Sequence, residues 1–267
     1  MTGRECFEVF AIRYGHMGER TAHDNFIGGD SHEGPCPIDY FLWAIRGPRT
    51  TWIVDTGYAA DVAARRGRTF LIDPAVGLKA VGIDAAAVGD VIITHLHYDH
   101  VGNFALFPAA TFHLQDMEMN YATGRHMCHE PFRGAYEVEE VVGMVRQVYA
   151  GRVTFHDGDA ELVQGLSLHR IGGHTMGLQV VRVWTRRGWV VLASDAAHFY
   201  ANMTKTRPFP IVFHVGDMVQ GYRRLRELAD SERHIVPGHD PLVMVRYPAA
   251  GPELDGVAVR LDVDPSG

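Results

Sequence analysis

The sequence predicts a sheet-rich α/β fold, with sheets packed at the centre and helices outside. Three observations carry this expectation. Short runs rich in Val, Ile and Phe recur with turn residues between them, two longer stretches show helical periodicity, and the strands come in groups that helices separate.

The runs are CFEVFAI (6–12), YFLWAI (40–45), TTWIVDTG (50–57), DVIITH (90–95), ATFHL (110–114), LSLHRI (166–171), LQVVRVW (178–184) and GWVVLASD (188–195). Their length and β-branched content suit strands. Gly188 after TRR punctuates a hairpin between the last two. Helix is expected from Val138 to Tyr149, with apolar residues at 138, 141, 142, 145 and 148, and from Val215 to Ala229, with 215, 218, 219, 222, 225 and 228. Each lays one apolar stripe on a sheet. The polar, Gly-rich segment from Gly15 to Ile38 has no period of its own and reads as a lid, a binding loop or a plain surface excursion. The acidic tail from Pro252 onward reads as a last strand or as disordered chain.

At 267 residues, 46% of them hydrophobic, with no long polar tract, the chain is expected to form one compact domain over 1–267. A net charge of -7 supplies no basic field for a phosphate backbone, which disfavours nucleic acid and leaves small-molecule chemistry as the leading class. The start, MTGRECFEVFAIRYGHMGER, has no secretory apolar core, and no later segment approaches a membrane span, so a soluble cytoplasmic protein without a membrane partner is expected. Three widely spaced cysteines, Cys6, Cys36 and Cys128, suggest neither a disulfide framework nor a thiolate site. Sixteen histidines make imidazole the expected metal ligand.

The chemistry concentrates in VIITHLHYDHVGN, where His95, His97, Asp99 and His100 follow an apolar run. A chain leaving a sheet aims alternate side chains at one spot, and the turn beyond swings the next pair to a second, so two adjacent metal sites are expected. More than four ligands are then needed. His174 in RIGGHTMG, Asp195 in VVLASDAAH and His239 in HIVPGHDPL each follow an apolar strand and small residues, and this shared context weighs more than any single match.

In these motifs and their order, from FLWAIRGPRTTWIVDTG to IVPGHD, the chain resembles the metallo-β-lactamase-fold hydrolases, and most nearly their N-acyl-homoserine lactonase-like branch. The resemblance implies an αβ/βα four-layer sandwich, two mixed β-sheets flanked by helices, with metals at one edge. It implies that His95, His97 and His174 hold a first metal, that Asp99, His100 and His239 hold a second, and that Asp195 bridges both. Asp55 in VDTG would orient ligands without binding metal. Homodimers are common among similar lactonases.

A ligand set without thiolate suits two divalent ions, zinc first, with manganese, iron and cobalt also compatible. Two such ions about 3.5–4 Å apart share a hydroxide near neutral pH, the expected nucleophile on an ester or lactone carbonyl. Asp99 is the expected proton carrier. The lactonase branch carries a tyrosine three residues after the bridging aspartate; here His198 stands there, able to donate a hydrogen bond to the substrate carbonyl or a proton to the leaving alkoxide, with Tyr200 as a substitute. The expected function is opening of an N-acyl-homoserine lactone or another small γ-lactone, a quorum-quenching chemistry. Alternatives are a glyoxalase II-like thioester hydrolase, against which only about 28 residues follow His239, and a non-catalytic metal-binding protein of the same fold.

Plainer roles are expected elsewhere. His113, His126, His129, His156, His169, His214 and His234 read as structural or surface residues, His169 facing outward. Met117, Met119, Met127, Tyr121 and Phe132 read as core in preference to pocket, whereas Phe209 and Phe213 in RPFPIVFH read as pocket walls.

Overall fold

A computed structural model describes residues 5–266. All eight runs form strands: β1 (Glu8–Met17), β2 (Ile38–Arg46), β3 (Thr51–Val54), β5 (Asp90–Ile92), β6 (Thr111–Gln115), β9 (Leu166–Arg170), β10 (Gln179–Thr185) and β11 (Gly188–Ser194). Five more lack a strong pattern: β4 (Thr69–Phe70), β7 (Val153–His156), β8 (Ala160–Val163), β12 (Ile235–Pro237) and β13 (Ala258–Arg260). They are two to four residues long, and β7 and β8 keep only half-buried or exposed positions, so neither alternation nor a continuous apolar run marks them. Both expected helices form, over Val138–Tyr149 and Val215–Leu228.

The larger sheet runs β13-β1-β2-β3-β5-β6-β7, with β4 also on β1, and the smaller runs β12-β11-β10-β9-β8. Both are mixed: β3, β5, β6 and β7 are parallel within the first, and β12 lies parallel to β11 in an otherwise antiparallel second sheet. The β10–β11 hairpin pairs Thr185 with Gly188, as the turn signal predicts. The tail supplies β13, an edge strand on β1.

Alternation explains the layers. Val9, Ala11, Phe41, Trp43 and Val54 of the first sheet meet Leu168, Val181, Val183, Val190 and Leu192 of the second in one buried cluster. The opposite face of the first sheet, through Ile12, Leu42, Ile53 and Val91, packs on Val62, Leu78, Val141 and Met144 from helices. The outer face of the second, through Val180, Val191 and Ile235, packs on Met218, Tyr222, Leu225 and Leu228 of the 215–228 helix. The result is the αβ/βα four-layer sandwich, each fully buried large side chain contributing roughly 1.5–3 kcal/mol. Among the described residues no helix is long and apolar enough to cross a membrane.

Candidate metal centre

β3, β5, β9, β11 and β12 all release the chain toward one edge of the sandwich. After β5 the chain extends through His95 and His97 and then enters a short helix over Tyr98–Val101, which turns Asp99 and His100 to the same place. His174 follows β9 through Gly172 and Gly173, both at positive φ; a Cβ on Gly173 would stand 2.5 Å from the backbone nitrogen of Met218, so only glycine passes there. Asp195 leaves β11 and His239 leaves β12.

All seven expected side chains, buried, come together. Nε2 of His95, Nδ1 of His97 and Nε2 of His174 lie 2.9–3.1 Å from one another. Asp99 Oδ2 lies 3.6 Å from His100 Nε2 and 3.7 Å from His239 Nε2. Asp195 spans the two trios: Oδ1 is 3.1 Å from His239 Nε2 and 3.3 Å from His100 Nε2, while Oδ2 is 3.3 Å from His174 Nε2.

The imidazoles are held by their far nitrogens. His100 Nδ1 meets Asp55 Oδ2 at 2.7 Å, His174 Nδ1 the Ile211 carbonyl at 2.7 Å and His239 Nδ1 the Asp39 carbonyl at 2.8 Å. With a proton on each of those nitrogens, Nε2 presents a lone pair to the centre. His100 Nε2 is buried without a hydrogen-bond partner among the described residues. Lone pairs crowded within 3.1 Å, beside an orphaned buried nitrogen, make sense around a cation, and the donor set fits two.

Electrostatics agree for the first trio. Burial, with the neighbouring imidazoles, holds His95 and His97 well below their ordinary pKa, and burial pushes His174 to about 4, so all three stand neutral and ready to ligate. Burial opposes charge on Asp195, but His239 and His100 outweigh it and keep the carboxylate ionised.

Asp55 sits where expected, against His100, with a left-handed φ of 61°. Its Oδ1 accepts the Thr94 N–H at 2.7 Å and its Oδ2 the Thr94 hydroxyl at 2.8 Å. Thr94 Oγ1 also meets Ser194 Oγ at 2.9 Å, and Ser194 too has positive φ, 43°. Strained backbone thus flanks the centre on both sheets.

His198 joins the cluster. Its Nε2 lies 2.8 Å from Asp195 Oδ2, its ring stacks on Phe209 at 3.6 Å, and with His174 and Asp195 it forms a further donor group. Burial pushes its pKa to about 4, so it is neutral near pH 7. Tyr200 is not a substitute: it packs under the Arg246 guanidinium at 4.0 Å and lines a separate groove.

A cavity of about 290 Å³ covers the cluster, walled by Ile38, Phe132, Pro210 and Ile211. Phe132 packs against the core as expected and also lines the cavity, whereas Phe209 backs His198 and Phe213 packs on Tyr121. Tyr121 is core as expected. The polar segment 15–38 contributes Arg20 and Ile38 to the wall and is closed by a Thr21–Pro35 bridge. His169, expected to face outward, is buried, with Ser167 and Asp159 at 2.9 and 2.8 Å.

Sequence reading missed Glu118. It is fully buried and accepts from the Leu96 and Gly177 N–H groups and the Thr175 and Tyr136 hydroxyls. A glutamate on a short amphipathic helix carries no signal of that role.

The profile of the Metallo-beta-lactamase superfamily matches residues 38–239. The N-acyl homoserine lactonase AttM of Azorhizobium caulinodans is 29% identical over 253 residues, covering 87% of this chain and 93% of that protein. The crystal structure of a quorum-quenching N-acyl homoserine lactone lactonase superposes with a TM-score of 0.73 at 22% identity, covering 91% of this chain and 95% of that one. AidC, a dizinc quorum-quenching lactonase in complex with a product, superposes with a TM-score of 0.68 at 16% identity, covering 90% and 89%. The profile match runs from β2 to His239, so it encloses every donor that the strand ends bring together, and the chain belongs to the metallo-β-lactamase superfamily.

Proposed function

We propose that residues 1–267 act as one metallo-hydrolase domain that opens a lactone ring, with two divalent ions held by His95, His97 and His174 on one side, Asp99, His100 and His239 on the other, and Asp195 between. The observation that carries this reading is the division of labour at Asp195, whose two oxygens each face one nitrogen trio. Zinc is the first choice for a set of nitrogen and oxygen donors without sulfur. The lactonase activity of AttM and the two zinc ions of AidC support it.

When bound, a pair of divalent cations polarises a carbonyl oxygen and brings a water's pKa toward neutrality. The chain's own residues do the rest. Phe132, Ile38 and Ile211 hold the ring against the donor cluster and thin out bulk water. Asp99, which lines the same cavity, takes the proton of the attacking water. As the acyl C–O bond of the ring breaks, Asp99 returns that proton to the departing alkoxide, giving a hydroxy acid. His198 stays neutral, fixed between Phe209 and Asp195, and holds that carboxylate in register.

The test pairs metal content with turnover. The protein reconstituted with zinc should hold two ions per chain and release acid from γ-lactones in a pH-indicator assay, with both properties lost to a chelator and restored by metal. A folded protein that binds two ions and opens no lactone, aryl ester or thioester overturns the reading.

A further inference from the structure

We infer that Arg68 is a recognition site for a carboxylate on the substrate, so that the preferred lactone or ester is a small one carrying its own negative charge. This rests on the hydrolase reading above and narrows its substrate class.

Three arginines, Arg20, Arg66 and Arg68, line the cavity over the donor cluster. Two are already engaged. Arg20 donates to Asn25 Oδ1 at 2.6 Å and to the Asp24 carbonyl at 2.8 Å. Arg66 donates to Glu137 Oε1 at 2.7 Å and to the carbonyls of Gly134 and Tyr136. Arg68 donates through Nε to the Tyr98 hydroxyl at 3.0 Å and through Nη1 to the Arg66 carbonyl at 2.7 Å. Among the described residues it has no carboxylate partner, and its Nη2 makes no hydrogen bond.

The half-buried guanidinium feels the Asp99 carboxylate only at longer range and pairs directly with no carboxylate, so part of its hydrogen-bonding capacity is left for an incoming anion. The two bonds it does make fix its plane. Nη2 and the second N–H of Nη1 are left to meet a carboxylate, and because the guanidinium plane is already oriented little freedom is lost on binding.

Its position suits a substrate held at the donor cluster. Tyr98 lies between His97 and Asp99 in the chain, and its hydroxyl also bonds that of Tyr40 at 3.3 Å. The Tyr40 ring packs 5.2 Å from that of His239. One tyrosine layer therefore separates the guanidinium from the donors. A cavity of 290 Å³ is at the low end for ligand sites, roughly 300–1,000 Å³, and suits a compact ring with a short anionic arm better than a long apolar chain.

The test compares a γ-butyrolactone bearing a ring carboxylate with its neutral carboxamide, in wild type, Arg68→Gln and Arg68→Lys. Wild type should prefer the carboxylate in kcat/KM by about ten- to hundredfold, the size of a charge-assisted hydrogen bond. That preference should fall at least about tenfold in Arg68→Gln and partly in Arg68→Lys, which keeps the charge without the fork. In parallel, NMR titration with cyclopentanecarboxylate and cyclopentanecarboxamide reads binding without turnover. The carboxylate should bind wild type more tightly than the amide, and Arg68→Gln, checked for folding by its melt, should lose that difference. Equal use of both lactones by wild type, or carboxylate binding unchanged in Arg68→Gln, which would place the anion on the metals, overturns the inference. If wild type opens no lactone at all, the hydrolase reading fails while the binding difference still decides the role of Arg68.

Discussion

Oε1 of Glu118 accepts the backbone N–H of Leu96 at 3.0 Å, so one buried carboxylate grips the peptide between His95 and His97. Its Oε2 takes the Thr175 hydroxyl at 2.5 Å and the Gly177 N–H at 3.2 Å, beside His174. Tyr136 donates to the same carboxylate at 3.0 Å, and its ring packs edge-on to His97 at 4.5 Å. Glu118 thus ties together the two loops that carry the first nitrogen trio. Glu118→Ala should weaken metal binding about 10- to 100-fold, as expected for a residue that orients ligands. Competition with a chromophoric chelator measures it; an unchanged affinity in a folded variant would remove Glu118 from this role.

Asp55 plays the corresponding part for the second trio through its 2.7 Å contact with His100 Nδ1. Asp55→Ala leaves that nitrogen without its acceptor and removes the anchor of Thr94. Metal content, read by elemental analysis after dialysis, should drop from two ions per chain toward one. Retention of both ions would show that Thr94 and packing suffice to aim His100.

Much of this was legible in the residues, for identifiable reasons. Strands buried on both sides, such as Val91–Ile92 and Gly188–Ser194, read as continuous apolar runs, and donors set just beyond such runs converge because parallel strands end at one edge. What was hidden depends on tertiary contact. Glu118 acts on Leu96, Thr175 and Gly177, the last two separated from it by 57 and 59 positions, and no local pattern encodes that. Phe209 lies behind His198, and Phe132 packs on the core while also reaching the cavity, because residue type does not say which face a ring takes. His198 sits at the centre beside Asp195, and its protonation follows from burial, which sequence does not state.

Asp99 should separate chemistry from binding. Asp99→Asn keeps an oxygen for the second trio and removes the proposed proton carrier, so kcat on a γ-lactone should fall about 10²- to 10⁴-fold, more than KM changes. Metal content measured on the same sample distinguishes the roles: full loading with low kcat supports proton transfer, whereas activity lost only in step with metal would make Asp99 a ligand and nothing more.

Glu140 supplies a pH dependence away from the donors. It lies in the first turn of the 138–149 helix, buried, with Oε2 lacking a hydrogen-bond partner among the described residues. Burial pushes its pKa up to about 8, helped by the charges of Glu137 and Asp99 and opposed by Arg66 and Arg65. A carboxyl with an ordinary pKa of 4.5 in the unfolded chain and about 8 in the fold is protonated more readily when folded. Over that interval the native state binds the extra proton, so stability falls as pH rises from about 4.5 to about 8 and is flat on either side with respect to this group. Glu140→Gln removes the ionisable proton and keeps the shape. The variant should gain on wild type as pH rises, by on the order of 2–4 kcal/mol near pH 9, and should differ little near pH 4. Urea melts at the two pH values check it; a difference that does not grow with pH would mean that Glu140 stays ionised by drawing in water or by turning toward Arg66.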